Sequence, residues 1–166
     1  MVSGLANLPQ VVLGPLAHRA DADWYKAPAG KWCAAQIVQH LALALDYSGR
    51  SFASRRAHTP MRRRRRTLRQ LVSYFLVLRT GWVPGRWDAP VLSRPTEHPG
   101  RADVERQFRE GVDVLTGLER ALLPARACDL FVKHPFLGDL TLPEWLRFHQ
   151  WHCAHHARQI RARLAG

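Results

Sequence analysis

Four histidines near the end of the chain, His149, His152, His155 and His156, fall within eight consecutive positions. The segment Thr141 to Leu164, which contains them, has the pattern of one helix. Because side chains four positions apart lie on the same face of an α-helix, His152 and His156 are spaced to bind one metal ion together. Two imidazoles make only half of a typical zinc site, so a further ligand must come from another part of the chain.

The start of this histidine-bearing helix carries several sequence signals. Thr141 can cap the helix, and Glu144, three residues later, completes a capping box. Pro143 falls in the first turn, where its missing N–H leaves no hydrogen bond unmade. Leu140 and Trp145 are placed as a hydrophobic staple. The sequence therefore predicts where the element that positions the histidines begins.

Other helices must hold the remaining ligand. Lys31 to Phe52 is rich in good helix formers, and Ala102 to Leu123 has apolar residues at helical spacing, with Pro124 expected to end it. Leu5 to Ala17 favours a short helix. Met61 to Leu78, in which five arginines precede an apolar run, favours another helical stretch opened by the arginines.

The segment Thr80 to Gly100 has four prolines and three glycines, which is typical of a long extended connection. Connections of this length in compact domains are often functional or mobile. No segment has a convincing strand pattern and no internal repeat is present. Four or five helices without strands predict an all-α bundle.

His40 is the natural third ligand for such a bundle. Metal sites in helix bundles are built from side chains on facing helices. The segment Lys31 to Phe52 presents His40 among small and apolar residues. Three imidazoles would leave one or more positions open on the metal, as in catalytic sites. The plainer alternative for an isolated histidine is a hydrogen-bonded core residue.

The chain resembles the DinB-like superfamily in several motifs. Trp32, followed eight residues later by His40-Leu41-Ala42, and the stretch from His152 to Ile160 look like the paired signature of that superfamily. The stretch from His134 to Thr141 resembles the approach to the final helix in an uncharacterised branch of it. The resemblance covers both ends of the chain and implies an up-down four-helix bundle that forms a single domain over residues 1–166.

The resemblance also implies a function. Members of the superfamily hold a divalent metal, often zinc or nickel, with three histidines that map onto His40, His152 and His156. Several members are similar to thiol-dependent transferases that use a low-molecular-weight thiol such as mycothiol or bacillithiol, and many others have no assigned activity. We therefore expect a small-molecule substrate and a metal-dependent thiol transferase or hydrolase, with a DinB-like protein that lacks catalytic activity as an alternative.

Three further residues are candidates for a catalytic role. His149 lies three positions before His152 on the same face, where it could compete for the metal, hydrogen-bond its water or act as a base. Gln159 is one turn beyond His156 and could orient a histidine or a bound water. Tyr47 is a pocket-lining candidate, although core packing is the plainer interpretation. His155 points away from His152 on the helical wheel and is expected outside the ligand set.

Composition leaves two rival interpretations. The net charge of +12, with 22 arginines and a run at residues 62–66, raises the possibility of a nucleic-acid-binding helical module. No helix-turn-helix or zinc-finger pattern accompanies the run, which makes nucleic acid the weaker alternative. A basic amphipathic segment on an anionic membrane is a third interpretation of Arg62 to Leu78. Phosphoryl transfer is disfavoured because the sequence has no glycine-rich phosphate loop.

The location of the protein is inferred from its cysteines and its apolar runs. Cys33, Cys128 and Cys153 form no C-x-x-C pair, which favours a reducing cytoplasm over a disulfide framework. The longest apolar run, Leu71 to Leu78, is far shorter than a membrane-spanning helix, so we expect no membrane span. Bundles of this kind often pair through an exposed helix face, and a homodimer is a possible assembly.

Overall fold

The computed structural model describes residues 4–59, 62–82, 88–122 and 124–165, and helices dominate these ranges, as the all-α class predicts. Met61, Leu123 and residues 83–87, on which parts of the predicted helices and connection fall, lie outside the described residues. The helices are α1 (Leu8–Leu13), α2 (Asp21–Tyr25), α3 (Ala34–Arg55), α4 (Leu68–Phe75), α5 (Arg101–Ala121), α6 (Pro124–Asp129) and α7 (Leu142–Ala165). Two strands, β1 (Phe131–His134) and β2 (Gly138–Thr141), form an antiparallel hairpin.

The N-terminal helical segment is interrupted where its prolines lie. Short 3₁₀ turns at Gly4–Asn7 and Gly14–Leu16 flank α1, and a proline stands in the first turn of both α1 and the second 3₁₀ segment. Proline fits the start of a helix, where its missing N–H has no intrahelical partner, and it disrupts the interior. The predicted helix over Leu5 to Ala17 is thus present as three consecutive short pieces.

Helices α3 and α5 lie against each other and run in the same direction. A Cβ built on Gly111 would stand 2.8 Å from Leu45 Cβ, and one built on Gly49 would stand 2.9 Å from Val114 Cγ1. The two glycines therefore permit the close approach of the helices. Because residue numbers increase together along this contact, the strict alternation of an up-down bundle does not hold for α3 and α5. Parallel neighbours need a long crossover connection, which residues 56–100 provide.

Helix α7 packs antiparallel to α3. The Arg163 Nε donates a hydrogen bond to the Trp32 carbonyl oxygen over 3.2 Å, near the start of α3. Further along, Ser48 Oγ lies 2.8 Å from His149 Nε2. From the first contact to the second, the residue numbers rise in α3 and fall in α7, so the two helices run in opposite directions. This arrangement brings the first half of α3, which holds His40, against the middle of α7, which holds His152 and His156.

The arginine run does not open a helix, which corrects the prediction for Met61 to Leu78. Residues 62–67 are not helical, and α4 begins at Leu68 with Thr67 as its N-cap. The side chains of Arg63 and Arg66 donate hydrogen bonds to the Asp139 carbonyl oxygen over 2.6 and 2.8 Å. Arg64 pairs with the buried Asp139 carboxylate. These arginines are thus held by the hairpin. The periodicity of a helix gives no sign of contacts between segments so far apart in the sequence.

The hairpin itself corrects the expectation that the chain has no strand. Val132 pairs with Leu140, and Lys133 with Asp139, in a ladder only four residues long. Gly138, which begins β2, has a φ of +79°, a value that favours glycine. Strands this short leave little alternation to detect, and packing against the α7 tryptophan stabilises them: Trp145 Nε1 donates to the Val132 carbonyl oxygen over 3.1 Å.

The start of α7 agrees in part with the predicted capping box. The Thr141 N–H donates to Glu144 Oε2 over 2.7 Å, as the box requires. The Thr141 hydroxyl also donates to that oxygen, over 3.2 Å, and Tyr74 donates its hydroxyl to the other carboxylate oxygen. Leu140 and Trp145 are buried in the core. Pro124 starts α6 and does not directly end α5, whose last residue is Ala121.

The core is shared by the long helices, the N-terminal segment and the hairpin. Its largest fully buried side chains come from all of these parts: Leu5, Leu16, Trp24, Ile37, Leu41, Leu45, Phe52, Phe108, Leu115, Leu137, Leu140 and Leu142. The histidine cluster is held between α3 and α7, both of which contribute to this core. Within the described ranges, no helix combines the length and apolarity that crossing a membrane would require.

Candidate metal centre

Three imidazoles meet where α3 and α7 face each other. One ring nitrogen each from His40, His152 and His156 lies within 4.8 Å of the others. The ring centroids are 5.0 Å apart for His40 and either partner, and 4.8 Å apart for His152 and His156. In the part of the chain that the structure describes, these are the residues brought close enough for three potential ligands to share one ion. They are also the three that sequence spacing and the resemblance predicted.

The closest pair of nitrogens tests whether a cation fits. His40 Nε2 and His152 Nε2 lie 3.1 Å apart. Two nitrogen ligands of one tetrahedral zinc ion stand about 3.3 Å apart, given Zn–N distances of about 2.0–2.1 Å. Two nitrogen lone pairs at 3.1 Å repel unless a proton or a cation stands between them. The donor set and this spacing therefore fit a divalent metal ion.

Hydrogen bonds behind the cluster assign the tautomers of two of its members. His40 Nδ1 donates to the Ser93 carbonyl oxygen over 2.7 Å, since a carbonyl can only accept. His156 Nδ1 lies 2.8 Å from Gln159 Oε1, which accepts from it in the same way. Both rings then keep the Nε2 lone pair for a metal. Metal-ligating histidines usually donate their second ring N–H to such a partner.

Gln159 connects the cluster to a fourth histidine. While its oxygen accepts from His156, its Nε2 lies 3.1 Å from His155 Nε2 and can donate to it. His155 is partly exposed and does not join the three clustered rings. This placement agrees with the expectation that His155 lies outside the ligand set. It also brings Gln159 against His156, while the prediction that Gln159 orients a histidine or a bound water stays a prediction.

Burial keeps the clustered imidazoles neutral, the form in which they bind metal. It lowers the pKa of His40, although the hydrogen bond to the Ser93 carbonyl acts in the opposite direction. The pKa of His152 falls well below its ordinary value because of burial and of the neighbouring imidazoles. Burial, together with His40, lowers the pKa of His156 to about 3. The site therefore does not need to lose protons before it accepts a cation at neutral pH.

Aromatic rings pack against two members of the cluster. Phe148, one turn before His152 on α7, stacks on its ring with a centroid distance of 5.0 Å and an angle of 25°. The centroid of the Trp32 ring lies 5.1 Å from that of the His40 ring. His152 Nδ1 is buried and has no hydrogen-bond partner among the described residues. Stacking on the Phe148 ring, in place of a hydrogen bond at Nδ1, thus helps to orient the His152 ring.

His149, a candidate base, lies outside the three-histidine cluster. It is fully buried, and its Nε2 contacts Ser48 Oγ on α3. The Ser48 hydroxyl also points to the carbonyl oxygens of Ala44 and Leu45, so it can accept a proton from His149 Nε2 while donating to the backbone. Burial lowers the pKa of His149 to about 3. The structure assigns His149 a hydrogen bond that joins α3 to α7, and its role in catalysis stays a prediction.

Tyr47 and the cysteines lie away from the cluster. The Tyr47 ring packs against the buried core, 6.3 Å from the Trp145 ring. Cys33 and Cys153 are buried and free, and burial raises the pKa of the Cys153 thiol. Cys128 is free and exposed. These placements agree with the plainer interpretation of Tyr47 as a packing residue, and none of the four joins the three histidines.

Sequence reasoning missed three groups that shape the site. Ser93 acts through its backbone carbonyl, for which no side-chain signal exists. Phe148 could have been found, because it stands four positions before His152 on the ligand face. His134 is buried beside the Phe148 ring, with ring centroids 4.5 Å apart, and its Nδ1 accepts the backbone N–H groups of Phe136 and Leu137 over 3.2 Å.

Comparison with known proteins gives one family-level finding. The profile of the DinB superfamily matches residues 6–160, which includes all three clustered histidines and nearly all of the described structure. No curated protein matches the chain significantly. No solved structure matches it significantly either.

Proposed function

The chain belongs to the DinB superfamily, and on that premise we propose that its three histidines hold one divalent ion that acts on a small thiol. The observation that carries the proposal is the meeting of His40, His152 and His156 with their ring nitrogens within 4.8 Å. We further propose that the N-terminal helical segment, α3, α5 and α7 are the four helices of the bundle that holds this site.

The donor set supports a site with open coordination positions. Three protein ligands are the usual complement of catalytic zinc, whereas structural zinc sites have four. Zinc and nickel are the metals proposed, because the resemblance to the superfamily implies them; imidazole ligands suit both, as they also suit copper and iron. When bound, such an ion supplies Lewis-acid chemistry and lowers the pKa of a thiol that it binds. The residues themselves hold the ion, fix the histidine tautomers and keep the ligands neutral.

Charge supports an anionic thiol as the substrate. Three neutral imidazoles add no negative charge, so the full positive charge of the ion remains to attract a thiolate. The chain carries a net charge of +12, which favours the approach of anionic small molecules. The ring of Trp32, which is only partly buried, offers apolar surface beside His40 for an electrophilic partner. A cytoplasmic location, where such thiols stay reduced, is part of the proposal.

Metal content tests the first half of the proposal. Protein purified without a histidine tag and dialysed against zinc or nickel should retain about one ion per chain. The variant His156→Ala should retain far less, because two imidazoles remain. The variant His98→Ala removes an exposed histidine outside the cluster and should keep the wild-type content. Equal metal content in wild type and His156→Ala would contradict the assignment.

Thiol consumption tests the second half. The metal-loaded protein should accelerate the loss of a low-molecular-weight thiol in the presence of an electrophilic acceptor. A chelator or the His156→Ala substitution should remove that acceleration. If the protein binds metal stoichiometrically and accelerates no thiol reaction with several thiols and acceptors, then it is a DinB-like protein without this catalytic activity, and the transferase proposal fails while the metal site stands.

A further inference from the structure

Helix α4 presents an apolar ridge to solvent. Leu68, Leu71, Val72 and Phe75 occur at the i, i+3, i+4 and i+7 positions of one helical face. Their exposed fractions are 79%, 52%, 52% and 59%. Side chains of this size at this spacing normally bury themselves against another element. We refer to these four residues as the α4 ridge.

The opposite side of α4 is already anchored to the protein. Ser73, on α4, and Val77 and Leu78, in the π-helical turn that follows, are buried. Tyr74 donates its hydroxyl to Glu144 over 2.7 Å, and the Arg66 guanidinium lies 3.9 Å from the centroid of the Tyr74 ring. Because these contacts fix which face of α4 points inward, rotation of the helix cannot bury the ridge within the described fold.

The surroundings of the α4 ridge are strongly basic. No aspartate or glutamate occurs between Asp46 and Asp88, whereas eleven arginines do. Arg63, Arg64 and Arg66 are engaged with the hairpin and Glu144. The remaining arginines near α4 are exposed and have no ion-pair partner in the described part of the chain: Arg62, Arg65, Arg69 and Arg79. The exposed aliphatic and aromatic side chains of the α4 ridge thus lie in a part of the chain that also carries these four exposed arginines.

We propose that the α4 ridge and its arginines dock the protein on the surface of an anionic lipid bilayer. Helices that lie in a membrane interface have leucine and phenylalanine on one face and arginine or lysine beside it, which is the chemistry found here. Arginine binds the lipid phosphates, while the ridge enters the boundary between headgroups and acyl chains. The exposed Trp82, just after the helical segment ends, adds a residue type enriched at such interfaces.

Two other occupants fit the observations less well. A second copy of the chain would bring one set of unpaired arginines close to another, and juxtaposed like charges oppose association. Nucleic acid would satisfy the guanidinium groups through phosphate contacts but gives no reason for an exposed aliphatic ridge. An anionic bilayer satisfies the charge and the apolar surface together.

Vesicle co-sedimentation of the full-length protein tests the proposal. The wild type should bind vesicles of three parts phosphatidylcholine to one part phosphatidylglycerol, and should bind pure phosphatidylcholine far less. The double variant Leu71→Ser/Phe75→Ser should bind the anionic vesicles at least about tenfold more weakly, since two side chains lose apolar burial. The variant Arg65→Gln/Arg69→Gln should lose about tenfold or more, and salt should weaken the wild type.

Matched controls separate the ridge from general effects. Val91→Ser/Leu92→Ser removes two other exposed apolar side chains, and Arg109→Gln/Arg161→Gln removes two exposed arginines from α5 and α7. Both controls should keep most of the binding, and circular dichroism should show all variants folded. Equal losses in the control and ridge variants would overturn the proposal. Wild-type protein that sediments as a dimer and becomes monomeric in the ridge variant would also overturn it, as would binding to duplex DNA without binding to vesicles.

Discussion

At the scale of single residues, the candidate site is set by hydrogen bonds that lie behind the histidines. His40 and His156 each donate Nδ1–H to an oxygen, one from the Ser93 backbone and one from the Gln159 side chain. Both rings are thereby directed with Nε2 toward the shared space. Because these hydrogen-bond partners set the tautomer and orientation of the rings, they should influence the metal affinity of the proposed site.

Gln159 offers a direct test of that dependence. Replacing Gln159 with leucine leaves the His156 N–H without an acceptor and should weaken metal binding about 10- to 100-fold. The variant Gln159→Glu keeps an oxygen at the same position and should stay much closer to the wild type. Competition with a chromophoric chelator measures both affinities. Indistinguishable affinities for the leucine variant and the wild type would show that Gln159 does not orient the ligand.

The burial of His149 predicts a pH dependence of stability. Its pKa is about 3 in the folded protein, below the ordinary value of 6.5. Between these two pH values the unfolded chain binds a proton at His149 and the native state does not. The free energy of unfolding should therefore fall by about 1.4 kcal/mol per pH unit from this group as the pH drops from about 6 to 4. The contribution is fully present above pH 6.5 and is lost as the pH approaches 3.

The variant His149→Gln isolates this contribution, because the glutamine amide can still donate to Ser48 Oγ. Urea unfolding in the presence of a chelator, at several pH values between 4 and 7, should give a shallower pH dependence for the variant than for the wild type. His98→Gln, at an exposed position, should match the wild type. Parallel curves for His149→Gln and the wild type would mean that His149 is protonated in the native state.

The three histidines of this site could be predicted from the sequence, whereas the hydrogen-bond partners that distant segments contribute could not, and the difference has a physical cause. The i, i+4 rule identified His152 and His156 because it is a property of one helix. His40 came from the pairing of helices expected in a bundle and from the family signature. The Ser93 carbonyl and the Ser48 to His149 contact depend on how distant segments pack, and neither has a local pattern. Apart from His40, the contacts that distant segments make at the site therefore could not be predicted from local sequence patterns.

At the scale of elements, a two-stranded hairpin links the arginine run to the histidine helix. Arg63 and Arg66 donate to the hairpin backbone and approach Glu144 in the first turn of α7. On its other side the hairpin presents His134 to the rings of Trp145 and Phe148. Part of the run that suggested nucleic-acid binding thus holds the hairpin, and we call Arg63, Arg64 and Arg66 the arginine clamp.

Glu144 contacts two of these arginines and two further residues: it pairs with Arg63 and Arg66 and accepts hydrogen bonds from Thr141 and Tyr74. Burial would raise its pKa, but Arg63, the Thr141 N–H and the Tyr74 hydroxyl hold the pKa below its ordinary value. The substitution Glu144→Ala removes a capping partner and leaves buried donors unpaired, so it should lower the free energy of unfolding by about 1–3 kcal/mol. Its low native pKa also predicts that the wild type loses part of this margin below about pH 4, as the carboxylate takes up a proton.

Chemical denaturation at neutral pH measures the effect of Glu144→Ala. The control Glu97→Ala removes an exposed carboxylate from the long connection and should change stability much less. If both substitutions have the same small effect, then the contacts of Glu144 with Arg63, Thr141 and Tyr74 do not hold the hairpin against α7.

Local sequence patterns were sufficient to predict the long helices but not the arginine run or the hairpin. Long helices α3, α5 and α7 were predicted within a few residues of their observed bounds, because their apolar spacing persists over many turns. The arginine run was wrongly assigned to a helix, because its partners are carboxylates and carbonyls more than seventy positions away. The hairpin was missed because four-residue strands carry almost no alternation.

At the scale of the whole molecule, the parallel packing of α3 and α5 explains the long connection between them. Antiparallel neighbours need only a short loop, whereas residues 56–100 must return the chain to the same end of the bundle. On the way, this crossover supplies the α4 ridge, the arginine clamp and the Ser93 carbonyl behind His40. Residues 56–100, which include both the arginine run and the connection predicted over Thr80 to Gly100, therefore support both the candidate metal centre and the proposed membrane surface.

X-ray absorption at the zinc edge of zinc-loaded protein reports on the proposed three-histidine site itself. We expect three imidazole ligands, completed by one or more light oxygen or nitrogen atoms, with Zn–N distances of about 2.0–2.1 Å. In the His156→Ala variant the signal of three imidazoles should be lost. A sulfur ligand at about 2.3 Å, from any of the three cysteines, or unchanged spectra in the variant, would contradict a site formed by His40, His152 and His156.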